Sequence, residues 1–159
     1  MEKRSLYDVN KQLVKKGLEV GKSVPDNMYV LITMIFIIND KNEVLVERCS
    51  RSRGGRYRFI TSDVRVGEDS QESIIRKVYD DFGLKIENPT LINTFKGTNA
   101  FYDYYIYKDN VDIKSLVLQE DIDEVKWVSI DRIIDMIQKD TFYQKHIDVV
   151  HIINNYMNN

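Results

Sequence analysis

The residues best suited to chemistry lie between Tyr57 and Leu84, in the run YRFITSDVRVGEDSQESIIRKVYDDFGL. A short strand leads into a loop ending in Gly67-Glu68. A helix follows, carrying Arg76, Asp80 and Asp81 before Gly83. Lys77, Asp80 and Asp81 stand at the i, i+3 and i+4 spacing that gathers side chains within an arc of roughly 100 degrees on a helix. Glu68 can fold back over that arc. Arg76, one turn before Asp80, can pair with it or with Glu68. Hard cations such as Mg²⁺ take carboxylate oxygens and water, and need few protein ligands when a substrate supplies phosphate oxygens. Glu68, Asp80 and Asp81 are ligands of that kind. A cation held there would neutralise a diphosphate, orient it and activate water. The blander reading is a solvated acidic helix face. Lys77 carries the wrong charge for a cation site.

A second cluster is basic. Arg48, Arg51, Arg53, Arg56 and Arg58 crowd the segment ERCSRSRGGRYRF, with Gly54-Gly55 giving the loop backbone freedom. Guanidinium forks match phosphate oxygens. Arg48, Arg51, Arg53 and Arg58 are therefore candidate phosphate holders, and a charged surface loop is the competing reading. Tyr57 and Phe59 interleave with the arginines, but there is no wider basic face, which ranks nucleic acid low. The run FYDYYIY, from Phe101 to Tyr107, alternates with period two. Its aromatics could stack on a base, but packing within a sheet is their commoner fate.

These residues must be positioned by a chain of 159 residues, a length that suits one domain spanning 1–159. The formal net charge of −2 gives no overall field to attract a polyanion, so an anionic ligand needs a local basic cluster or a metal. Cys49 is the only cysteine, which excludes an internal disulfide and fits a reducing compartment. The N-terminal run MEKRSLYDVNKQ lacks the apolar stretch of a signal peptide. The longest apolar run, Tyr29 to Ile38, is too short to span a bilayer as a helix. A cytoplasmic protein without membrane segments is the expectation.

Met28 to Asn39 is rich in Ile, Val, Phe and Tyr and predicts a central strand. Asp40-Lys41-Asn42 predicts a turn and Glu43 to Arg48 the return strand. Leu6 to Val20 reads as a helix face or as a hairpin across NKQLVKKG, and Gly17 and Gly21 favour the hairpin. Cys49 to Arg56 predicts a polar loop and Tyr57 to Ile60 a short strand. Asp69 or Ser70 caps a helix running to about Phe82, whose Ile74, Ile75, Val78 and Phe82 share one side, with Gly83 as its stop. Thr90 to Phe95, Ala100 to Tyr107 and Val125 to Val128 are further strands. Ser129 caps a helix through Gln138, and Thr141 starts a last helix ending near Tyr156. Strands mixed with helices in this order predict a mixed sheet with helices on its faces.

The stretch resembles the Nudix box, in which a glycine, five residues, a glutamate and seven residues precede Arg-Glu-aliphatic-any-Glu-Glu-any-Gly-aliphatic. Glu68 stands at the first glutamate and Arg76 at the arginine. Val78, Asp80, Asp81 and Gly83-Leu84 match the later positions. Ser62 replaces the opening glycine, Ile60-Thr61-Ser62 a Pro-Gly-Gly, and Lys77 the second glutamate. The resemblance covers roughly residues 6 to 140, through LYDVNK, LITMIFIIND, VLVERCS, FYDYYIY and LQEDIDEVKWVSIDRIIDMI. It is strongest to the branch that resembles isopentenyl-diphosphate isomerase.

The resemblance implies an α/β (α+β) fold, an α/β/α sandwich around a mixed sheet. It also implies hydrolysis, with Mg²⁺ or Mn²⁺, of the diphosphate bond in a nucleoside diphosphate linked to another moiety. Glu68, Arg76, Asp80 and Asp81 would be the catalytic set, and Glu68, Asp80 and Asp81 the metal ligands. The arginine loop would border the substrate cleft. A later glutamate often serves as base or ligand, and Glu120 and Glu124 lie near that region. The isomerase reaction is excluded. It needs a cysteine in the loop before the box and histidine ligands, whereas Cys49 ends the return strand and no histidine precedes His146. His146 and His151 read as solvated positions on the last helix.

The family places a metal-binding or basic glutamate where Lys77 stands. A lysine there competes with a cation for Asp80 and Asp81. Each aspartate is one methylene shorter than the glutamate it replaces, and Thr61-Ser62 stiffens the loop. Weak, altered or absent hydrolysis is the expectation. The alternative is a Nudix-fold module that binds a phosphorylated small molecule without turning it over. Either form is compatible with a monomer or a homodimer.

Overall fold

The computed structural model describes residues 3–19 and 21–158. In chain order the elements are β1 (Lys3–Tyr7), β2 (Leu13–Glu19), β3 (Val30–Ile38), β4 (Glu43–Cys49), β5 (Tyr57–Arg58), β6 (Ile60–Asp63), α1 (Ser70–Phe82), β7 (Thr90–Lys96), β8 (Ala100–Lys108), β9 (Ile122–Ser129), α2 (Ile130–Gln138) and α3 (Ile147–Met157). The chain forms two compact units. One comprises the residues up to Ile35, Thr61–Tyr79 and Lys85–Ile106. The other comprises Phe36–Ile60, Asp80–Leu84 and the residues from Tyr107 onward.

In the first unit β1 and β2 pair antiparallel, a hairpin as expected, but it turns over residues 8–12 rather than across NKQLVKKG: Leu13 to Gly17 lie within β2, and Leu6 pairs with Lys15. Leu6 is buried with Val30 and Ala100, and Tyr7 packs on Leu31, Val64 and Phe101. β7 pairs antiparallel with β8. α1 begins with a reciprocal cap: the Glu72 N–H donates to Asp69 Oδ1 at 2.8 Å, and the Asp69 N–H to Glu72 Oε1 at 3.1 Å.

In the second unit β4 pairs antiparallel with β5, with β9 and with the end of β3. The turn between β3 and β4 closes on Asn39, whose Oδ1 accepts the N–H groups of Lys41 and Glu43 at 3.0 and 2.9 Å. Phe82 is buried, and Gly83, at φ +68°, makes the left-handed exit from α1. Ser129 caps α2 by accepting the Arg132 N–H.

Two bonds set the direction of β3 against β8. The Val30 N–H donates to Asn99 O near the start of both strands, and the Asp109 N–H to Ile38 O near the end of both, each at 3.0 Å. β3 and β8 are therefore parallel. The strand order is β5-β4-β3-β8-β7, with β6 on β3 and β9 on β4, so the sheet is mixed. β3 is the expected central strand, with almost every residue buried. No helix among the described residues is long and apolar enough to cross a membrane.

Two further elements differ from expectation. Tyr57 to Ile60 is not one strand: β5 ends at Arg58, and β6 carries extended backbone through Thr61, Ser62 and Asp63. The last helix starts at Ile147, not Thr141. Before it, the Tyr57 N–H donates to Thr141 O at 3.0 Å and the Tyr143 N–H to Tyr57 O at 2.9 Å, so this segment lies beside β5. Thr141 also returns its own N–H and hydroxyl to Met136 O, finishing α2.

His146 differs as well. It is buried at 9% exposure, its Nδ1 accepts the Phe59 N–H at 3.5 Å, and its ring stacks on Phe59 at 5.3 Å. Burial, then the charge of Arg58, lowers its pKa to about 4, so it is neutral at physiological pH. His151 is exposed, as expected.

Candidate active site

In the first unit the loop before α1 turns at Gly67, φ +87°, and delivers Glu68 to Arg76. The Arg76 Nε–H donates to Glu68 Oε2 at 2.6 Å and an Nη2–H to Oε1 at 3.1 Å, a two-pronged pair. The Arg65 N–H donates to the same Oε1 at 2.9 Å. Glu68 is thus one of the partners the sequence offers Arg76. Burial raises the Glu68 pKa, but the hydrogen bonds from Arg76 and Arg65 and the charges of both outweigh it, and the carboxyl lies below its ordinary value.

Ser62 has a positive role here. Its side chain is buried, its hydroxyl shares a hydrogen bond of 2.9 Å with Ser73 and accepts from Arg76 at 3.3 Å. Where a glycine would leave space, the hydroxyl helps fix the guanidinium. Lys77, in the next position, is half-buried.

In the second unit the end of α1 carries Asp80 and Asp81. Asp80 is exposed and Asp81 is buried at 1%. The two expected ligands therefore sit in different environments. The segment after β8 closes the helix end: the Gln119 N–H donates to Asp81 O at 2.9 Å and the Val117 N–H to Phe82 O at 3.0 Å. These are carbonyls that a helix end leaves without intrahelical partners.

The same segment lines a cavity of about 450 Å³ with Ser50, Ser52, Arg53, Gln119, Glu120 and Asp121. The Ser50 N–H donates to Asp121 O at 3.0 Å, and Arg53 Nη1 lies 3.6 Å from Asp121 Oδ2. Arg53 and Glu120, two of the expected site residues, thus share a cavity wall. Glu124 does not join them. It accepts from Tyr57 Oη at 2.8 Å and lies 3.5 Å from Arg48. Burial and then that hydrogen bond raise the Tyr57 pKa to about 12.

The arginines are not a pooled cluster. Arg48 faces Glu124, Arg53 faces Asp121, Arg56 is 3.0 Å from Asp140, and Arg58 is 3.6 Å from the buried Glu47. Arg51 is exposed. Glu47 and Asp121 went unread in the sequence. Glu47 did leave a signal: a carboxylate inside the apolar run EVLVERC, which folds as a buried strand. Cys49 is buried, and burial pushes its thiol up, which disfavours the thiolate a nucleophile needs.

For a divalent cation, the donor chemistry and its placement give different answers. Carboxylate oxygens suit Mg²⁺ or Mn²⁺. Yet among the described residues no group of three His, Cys, Asp or Glu side chains is placed to hold a metal ion, and Glu68 is already committed to Arg76. As placed, the described residues do not by themselves gather three donors around a resident cation, while their carboxylate oxygens suit a hard one.

Comparison with known proteins agrees with the fold. A Listeria innocua protein described as the Nudix hydrolase lin0387 is 23% identical over 136 residues, covering 81% of this chain and 80% of its own. DR0079 from Deinococcus radiodurans superposes with a TM-score of 0.80 at 15% identity, over 94% of this chain and 98% of that one. The NUDIX domain of Shewanella oneidensis NrtR, crystallised with ADP-ribose, superposes with a TM-score of 0.63 at 11% identity, over 81% of this chain and 88% of that one. The NUDIX domain family matches residues 28–151, most of the chain, and the protein belongs to that family.

Proposed function

We propose that the protein hydrolyses the diphosphate bond of a nucleoside diphosphate linked to another moiety, and does so slowly. The observation that carries the reading is the cavity on whose wall Arg53 and Glu120 meet, built from a segment hydrogen-bonded to the end of α1 at Asp81. A ligand of the class bound by the NrtR domain has the charge and the anhydride the reading needs.

Arg53, with the exposed Arg51 beside it, holds the outer phosphate. Glu120 accepts the proton of the attacking water as the new P–O bond forms, and the bridging P–O bond breaks with its electrons on the leaving phosphate. Mg²⁺ or Mn²⁺ brought in with the diphosphate would neutralise its charge, with Asp80 and Asp81 as the ligands we assign. Glu68 and Arg76 fix the loop and helix that precede them.

Purified protein incubated with ADP-ribose, nucleotide sugars and dinucleoside polyphosphates, plus Mg²⁺ or Mn²⁺, is expected to release nucleoside monophosphate. Glu120→Gln is expected to lower that rate about a hundredfold, the scale of a lost general base. No product above background from any of these compounds would remove the reading.

Lys77, and the absence among the described residues of three side chains placed to hold a metal, favour a second reading: a module that binds the same anion without turnover, with the ammonium replacing the cation. It predicts that calorimetry with ADP-ribose gives one Kd with Mg²⁺ and the same Kd with a chelator. A strict metal requirement for binding would exclude it.

A further inference from the structure

We propose that the N-terminal hairpin is a positioning element for Glu68: β1, latched at the hairpin tip by Lys11 and Asp103, holds the loop whose Arg65 backbone, together with Arg76 on α1, grips that carboxylate. The proposal rests on the reading above only in giving Glu68 a place in the working site.

The hairpin precedes the residues matched by the family. It is nevertheless bonded to the loop that leads into the box helix. Arg4 and Arg65 form an antiparallel bridge, and the Val66 N–H donates to Lys3 O at 2.9 Å. The Arg4 guanidinium, 12% exposed, lies 3.5 Å from the Asp63 carboxylate. Asp63 O in turn accepts from Arg76 at 3.4 Å and from the Ser73 hydroxyl at 3.2 Å. The Arg65 N–H reaches Glu68 Oε1 at 2.9 Å, and the Glu68 N–H returns to Arg65 O at 3.1 Å. Arg65 is thus shared: its backbone is bridged to β1 and its N–H fixes Glu68.

The far end of the hairpin is held by charge. Lys11 sits in the turn at φ +61°, and its ammonium lies 2.9 and 3.2 Å from the two oxygens of Asp103. Asp103 is buried at 3% and also accepts the Thr94 hydroxyl at 2.8 Å. A buried carboxylate left without its cation is strongly disfavoured, so the tip has one favourable seat. Between tip and loop, Tyr7 and Tyr29 exchange backbone bonds of 2.8 and 2.9 Å. Tip, middle and edge together leave β1 little freedom to move away from Arg65. Neither Lys11 nor Arg4 touches Glu68, so their effect on it runs through backbone placement.

The test uses the full chain with Arg4→Met and Lys11→Met, and with Arg132→Ala, whose side chain pairs with Asp135 on α2, as control. Two signals are read by NMR: amide exchange at Val66, and the Arg76 Nε–H resonance, which is protected while that proton is held by Glu68. In Arg4→Met, Val66 is expected to exchange roughly tenfold faster and the Arg76 Nε–H signal to broaden or vanish. Lys11→Met moves both in the same direction, and the control moves neither. If either hairpin variant unfolds, the other decides. Loss of melting temperature with the Arg76 signal intact would show that the hairpin only stabilises, and would overturn the proposal, as would unchanged exchange at Val66. Neither signal needs turnover, so an inactive protein would sink the hydrolase reading and leave this one standing or falling on its own result.

Discussion

Lys77→Glu is expected to raise metal-dependent diphosphate turnover by at least about tenfold, because unit charges a few ångströms apart at a protein surface interact with about 4 kcal/mol. The position lies three and four residues before Asp80 and Asp81 on α1, the spacing at which helical side chains are neighbours. Replacing an ammonium with a carboxylate makes the local charge more negative by two. Half-burial of the residue limits solvent screening of that change. The added carboxylate also supplies a further hard-oxygen donor on α1, in a protein whose described residues place no three such groups together. Mn²⁺ affinity, read by water relaxation, should rise in parallel with turnover. If the native protein is instead a module in which Lys77 replaces the cation, the same variant loses metal-independent binding of ADP-ribose. An unchanged rate together with unchanged Mn²⁺ affinity would mean that Lys77 does not control the charge at the end of α1.

The parts of the fold that were legible are those in which local chemistry and tertiary packing agree. The apolar run around Phe36 reads as a buried strand, and it is one. α1 was bounded by Asp69 and Gly83 through cap chemistry that needs no partner elsewhere in the chain. What stayed hidden depends on long-range pairing. Thr61 to Asp63 extends as β6 because a neighbouring strand accepts it, and nothing in Ile-Thr-Ser announces that. His146 looked solvated because the last helix was expected to start at Thr141. In fact the backbone of that segment lies beside β5, which turns the ring onto Phe59. The arginine loop looked like one phosphate cradle because its charge was counted before its partners. Asp121, Asp140, Glu47 and Glu124 each lie far away in sequence or on a neighbouring strand, and each faces one guanidinium. The box residues were found by pattern, yet a pattern cannot say that Asp80 is exposed while Asp81 is buried. That difference follows from helix angle.

Arg76→Met is expected to destabilise the protein by about 2 kcal/mol at pH 7, the cost of leaving a partly buried carboxylate without its charged donor. Glu68 and Arg76 are 17% and 22% exposed, so solvent replaces the lost bonds poorly. Ser62 and Ser73 lose a donor as well, though each keeps the other. The pH dependence separates this from a simple packing defect. In the native protein the Glu68 carboxyl lies below its ordinary 4.5, because the bonds and charges of Arg76 and Arg65 outweigh burial. Its contribution to stability is therefore complete above about pH 4.5 and is lost as the pH falls through the lower, folded-state value. Without Arg76, burial acts against the Arg65 contacts alone, and the carboxyl rises. The native protein should therefore weaken on acidification below pH 4.5 more steeply than Arg76→Met does, and the gap between them should narrow. Urea denaturation at pH 7 and near pH 3.5 measures both. Glu68→Gln, in which the side chain cannot ionise, should lose the same acid-sensitive part, and adding it to Arg76→Met should cost less than the two changes summed. A difference between native protein and Arg76→Met that is the same at both pH values would mean that the guanidinium packs against the loop without holding the Glu68 charge.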